Sequence, residues 1–116
     1  MAKTRVLVEF GMGTSLRRED YTEAAKRSVK DALWHNSVNL AEAFGFPREA
    51  MIIDAEIGVA KPGQVDVGAI KAIFPYGRPT VTVTEGGLDV AKPDAEGCTV
   101  IANAAVVVSF DMESVQ

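Results

Sequence analysis

The chain has one cysteine, one histidine and one tryptophan in 116 residues, and its 12 Lys and Arg are outnumbered by 16 Asp and Glu. The single cysteine, Cys98, excludes an internal disulfide framework. No basic residue neighbours it in sequence to activate the thiol, so an inert thiol in an apolar strand is expected. The net charge of −4, with basic residues scattered rather than striped, argues against a nucleic-acid partner. Long apolar runs are missing as well. The longest, Ile101 to Val108, contains Asn103 and falls far short of the ~20 residues a membrane helix needs. The basic start Met1 to Arg5 runs into a strand containing Glu9 rather than the apolar core of a signal peptide, which predicts a soluble, cytoplasmic protein with no membrane partner. No linker, repeat, cofactor motif or metal-ligand set stands out, so neither a cofactor nor a metal is expected.

What is present is a foldable mixture, 47% hydrophobic and 24% charged, that predicts one domain over residues 1–116. Arg5 to Phe10 has a strand pattern, with Val6, Val8 and Phe10 on one face. Gly11 to Asp20 then reads as a glycine-punctuated turn between strand and helix, carrying Thr14, Ser15, Arg17 and Arg18. Backbone donors and side chains can converge on a ligand in such a turn. Asp20-Tyr21-Thr22-Glu23 has capping-box spacing and opens a helix to about His35. Its apolar stripe is Tyr21, Ala25, Val29, Ala32 and Leu33. Glu23, Lys26, Arg27, Lys30 and Asp31 make a solvated opposite face, and the small residues Ala24, Ala25, Ser28 and Ala32 suit close packing on a sheet.

His35 is either a helix-end residue favoured by the dipole or a proton-transfer group. Asn39 caps a short helix, Leu40 to Phe44. Ala50 to Ala60 is a second strand in which alternation puts Asp54 and Glu56 on one face, as an acid and base pair or as solvated edge carboxylates. Asp66 caps a helix from Val67 to Phe74. Pro79 to Thr84 alternates threonine and valine, Leu88 to Val90 continues as strand, and Cys98 to Phe110 is apolar on both faces like a central strand. Asn103 in its middle needs a hydrogen-bond partner. The order βαβαββ predicts an α/β two-layer sandwich, a mixed sheet with both longer helices on one face. The other face is then left to another subunit, so an oligomer is expected.

Gly11-Met12-Gly13, the helix from Glu23 to Ala32, His35-Asn36-Ser37, Pro75-Tyr76-Gly77 and Glu85-Gly86-Gly87-Leu88 together resemble a small family of conserved hypothetical proteins found in bacteria and plants. Its hallmark is an N-terminal Gly-x-Gly-x-Asp-x-His-Gly motif. Gly11 and Gly13 match it, while Ser15, Arg17 and Arg18 stand at the acidic, histidine and final glycine positions. A more distant resemblance is to single repeats of the cyanuric acid hydrolase and barbiturase group, and to chorismate-mutase-like and Rid-like trimers. Thr14 and Asp54 to Gly58 occupy the places where those amidohydrolases carry a lysine and a Ser-Gly pair. The resemblance implies a homotrimer with small-molecule clefts between subunits.

Two functions follow as expectations. One is an enzyme or enzyme-like binder of the cyclic-amide hydrolase kind, in which Gly11, Gly13, Thr14, Ser15, Arg17 and Arg18 hold an anionic or polar ring compound and His35, Asp54 or Glu56 transfers protons. The other is a non-catalytic subunit that assembles with a catalytic paralogue.

Overall fold

The computed structural model describes residues 3–16, 18–34, 45, 47–74, 77–93 and 96–111. Strand β1 (Lys3–Ser15) leads to helix α1 (Tyr21–Trp34), then β2 (Ile52–Val59), a short helix α2 (Val67–Lys71), β3 (Arg78–Glu85), β4 (Leu88–Ala91) and β5 (Cys98–Asp111). The expected short helix at Leu40 to Phe44 lies outside the described residues. The five strands form one mixed sheet in the order β1-β5-β2-β3, and β4 also pairs with β5. β2 and β3 are parallel and joined through α2, while β5 runs antiparallel to β1, β2 and β4. The register places β2 beside residues 103–109 of β5 and β4 beside residues 98–101, so these two strands lie end to end in a single lane. The crossing from β3 into that lane is made at Gly86-Gly87, where Gly87 has φ 59° and Gly86 lies against Gly58. Only residues without a Cβ let the two backbones approach this closely.

The sandwich expected from the element order is therefore present, with α1 and α2 packed together on the sheet. One boundary differs in a way that matters. β1 does not stop at Phe10 but runs five residues further, so the first half of the glycine turn expected at Gly11 to Asp20 is strand instead. The reason is helix packing. A Cβ on Gly11 would overlap the Ser28 carbonyl and the Ala32 backbone, and one on Gly13 would overlap the Ala24 carbonyl and the Ser28 amide. Opposite the glycines, Ala24, Ala25, Ser28 and Ala32 are fully buried. Small residues on both sides bring the helix backbone down onto the strand backbone. The buried Ser28 hydroxyl avoids an unmet donor by bonding the Ala25 carbonyl at 2.7 Å.

The core lies between sheet and helices. Ile53, Ala55, Ile57 and Val59 of β2 alternate inward to meet Val100, Ala102, Ala104, Val106, Val108 and Phe110 of β5, with Val29 and Ile70 from the helices. Facing residues on the other side of the sheet are Phe10 and Met12 of β1, Asn103 and Ala105 of β5, Glu56 of β2, Thr82 and Thr84 of β3, and Leu88 and Val90 of β4. No helix among the described residues covers that side. Asn103, expected to need a partner, is exposed there and open to water.

The outer edge of β1 is closed by α1. Asp31 Oδ2 accepts from the Met12 amide at 3.0 Å, and Arg27 Nη1 donates to the Thr14 carbonyl at 2.7 Å. Two side chains of a helix face expected merely to meet solvent thus satisfy backbone groups that an edge strand would otherwise offer to another chain.

Candidate functional site

The end of β1 and the first two turns of α1 enclose a cleft of about 420 Å³ lined by Ser15, Leu16, Arg18, Asp20, Glu23 and Arg27. Its geometry follows from the turn between them. Glu19 takes a left-handed φ of 48°, and its carboxylate accepts from the Cys98 amide at 2.8 Å, which ties the turn to the start of β5. The buried Ser15 hydroxyl accepts from the Asp20 amide at 3.1 Å. Asp20 caps α1 by accepting from the Glu23 amide at 3.0 Å. Only half of the expected capping box forms, because the Glu23 carboxylate turns instead to Arg27 at 3.3 Å and Lys26 at 4.0 Å. Arg18 is exposed, lines the cleft and makes no ion pair among the described residues.

Of the residues expected to bind a ligand, Ser15 and Arg18 line this cleft. Thr14 contributes its carbonyl to Arg27. Gly11 and Gly13 lie under α1, where the helix backbone leaves no room for a ligand. Arg17 and His35 are outside the described residues. Asp54 and Glu56 do share a face, as alternation requires, but it is the face away from the helices. There the Asp54 carboxylate is paired with Lys3 at 2.8 Å, and Glu56 borders a separate hollow of about 210 Å³ with Phe10, Gly58, Thr84, Asn103 and Ala105. The sheet stands between these acids and Arg18. Among the described residues no group of three or more His, Cys, Asp or Glu side chains is placed to hold a metal ion. No described helix is long and apolar enough to cross a membrane.

Beside the cleft, the Tyr21 side chain points into the core, 4% exposed, and its hydroxyl donates to Asp89 Oδ2 of β4. Burial, followed by the hydrogen bond to the anionic Asp89, pushes the phenol up from 10.0 to about 12. Lys61 Nζ sits 5.9 Å from the ring centroid, and Thr22 accepts from the Asp66 amide at 2.9 Å, so the start of α1 is also tied to the segment before α2. Arg27 and Tyr21 were visible in the sequence only as a surface charge and a core residue. Strand pairing and helix placement, which no local pattern encodes, give them their partners.

Residues 5–108 match the model of a family described as conserved hypothetical protein (Lin0512_fam). A crystal structure of a FtsZ-like protein of unknown function from Nostoc punctiforme is similar throughout, with 34% identity and a TM-score of 0.86 over 96% of this chain and 98% of that one. No curated protein matches.

Proposed function

The chain belongs to this family of conserved hypothetical proteins, and from that premise we propose that it is an oligomeric binder of a small anionic or polar ring compound, held at the Ser15 to Arg27 cleft. The observation that carries the reading is the exposed Arg18 guanidinium, without an ion pair among the described residues, lining a cleft together with Ser15 and Arg27. A planar guanidinium matches carboxylate or imide oxygens with paired hydrogen bonds. At the motif positions where the resemblance implies an acid and a glycine, this chain has Ser15 and Arg18, an exchange that favours holding an anion over moving a proton. Isothermal titration with small dicarboxylates and with the cyclic imides barbiturate and cyanurate tests it. Micromolar binding of one class, weakened at least tenfold by Arg18→Ala, is expected, that is, a loss of about 1.4 kcal/mol or more. Binding indifferent to Arg18, or none, removes the reading.

Placement of the acids favours a second reading, a non-catalytic subunit working with a paralogue. Asp54 is neutralised by Lys3, and Glu56 faces the opposite side of the sheet from Arg18. Within the cleft, Asp20 is spent on the helix cap and Glu23 on Arg27. A hydrolytic cycle therefore needs a proton-transfer group from elsewhere. Turnover of a cyclic imide by the purified protein alone, followed by chromatography, decides between the two: product formation sinks the non-catalytic reading.

A further inference from the structure

The helix-free sheet face carries a concentration of apolar surface that the cleft does not explain. Phe10 is 70% exposed, Leu88 57%, Met12 55% and Val90 42%. By register they are neighbours on one side of the sheet, around Ile101, Asn103 and Ala105 of β5. We propose that a second copy of this chain covers this face, the two sheets packing face to face about a twofold axis, with the Phe10 ring of each copy seated in the hollow beside Phe10 of the other. The inference rests on the preceding reading only in taking the protein to be an oligomer, and it names the surface by which copies join.

Three observations select a second copy. The first is area. The 13, 14, 8, 4 and 8 residues of β1, β5, β2, β4 and β3 span roughly 750 Å² of sheet plan at the usual rise and strand spacing. A standard interface takes about 800 Å² from each partner. The second is charge. The chain has a net charge of −4 and would repel itself across most surfaces. On this face the register sets Lys3, Arg5 and Arg78 against Asp54, Glu56 and Asp111, so its charges balance, and the apolar patch of Phe10, Met12, Leu88 and Val90 itself carries none. The third is shape. The hollow of about 210 Å³ has a floor of Gly58, Ala104 and Ala105 and lies directly beside Phe10. The hollow is shallow and open to the surface, so an aromatic ring from an opposed copy can reach it. Hollow and ring side by side on one face make it self-complementary, as a twofold contact requires.

Light scattering after size exclusion, with the full chain of 12.4 kDa, tests the proposal. A mass equal to an even number of subunits is expected, halved by Phe10→Glu and unchanged by Val67→Glu, which places the same charge on an exposed apolar residue of α2. Phe10→Ala, which adds no charge, weakens association at least tenfold. Circular dichroism checks that both Phe10 variants stay folded. A wild-type monomer or trimer overturns the proposal, as does an even assembly that Phe10→Glu leaves intact. Ligand titration of the halved Phe10→Glu species reads the Arg18 cleft separately, so failure of one reading is not mistaken for failure of the other.

Discussion

The Tyr21 hydroxyl donates to the carboxylate of Asp89, 68 residues further along the chain, and so fastens the first turn of α1 to β4. The other Asp89 oxygen is buried with no hydrogen-bond partner among the described residues. Tyr21→Phe would leave the whole carboxylate without a donor there. We expect it to cost about 1–3 kcal/mol in urea unfolding at pH 7.

The same pair sets an alkaline limit. The Tyr21 phenol is raised in the fold from 10.0 to about 12, so the folded state keeps a proton that the unfolded chain gives up. The resulting stability is complete below pH ~10 and falls as pH rises towards 12. Denaturant midpoints between pH 9 and 12 should fall more steeply for the wild type than for Tyr21→Phe. Equal slopes would show that Tyr21 does not titrate late. Asp89→Asn, which removes the anion, should bring the phenol's spectrophotometric midpoint back towards 10.

Gly11 and Gly13 are packing residues, so replacing either harms the fold whether or not a ligand is bound. Gly13→Ala drives a methyl into the Ala24 carbonyl and the Ser28 amide, both fixed helix backbone. A loss of about 3 kcal/mol or more is expected by thermal or chemical unfolding. A stable Gly13→Ala protein would mean that α1 sits further from the sheet.

Glu19 separates backbone strain from hydrogen bonding at one position. Its φ of 48° suits glycine, whereas its carboxylate holds the Cys98 amide. Glu19→Ala loses the bond and keeps the strain, while Glu19→Gly loses the bond and relieves the strain. The alanine variant should be the less stable by about 1 kcal/mol in paired urea titrations. The opposite order would show that the left-handed conformation costs nothing here.

Much of the fold was legible from residue patterns. The cap at Asp20 fixed the start of α1, Asp66 that of α2, and threonine-valine alternation gave β3 with its threonines outward. What was not legible came from elements meeting. A Gly-x-Gly after a short strand is locally indistinguishable from a turn, and only the small face of α1 overhead turns it into a strand with a helix pressed against it. Arg27 and Asp31 looked like solvent-facing charges because nothing nearby in sequence reveals that β1 presents its edge to them. Ser15 and Arg18 were grouped from their nearness in sequence, and both line one cleft at the end of β1. Separating them from Asp54 and Glu56 required knowing which side of the sheet each occupies.

The place of β5 also bears on how the chain comes to be folded. β1, β2 and β4 all take their hydrogen bonds from it, yet it is the last of the five strands to be synthesised. Until residues 98–111 leave the ribosome, β1 and β2 have no common neighbour, and of the observed strand pairs only β2 with β3 can form. Sheet assembly is thus held back until β5 has been made and depends on contacts between distant parts of the chain, the circumstance in which folding is slow and nascent strands need shielding.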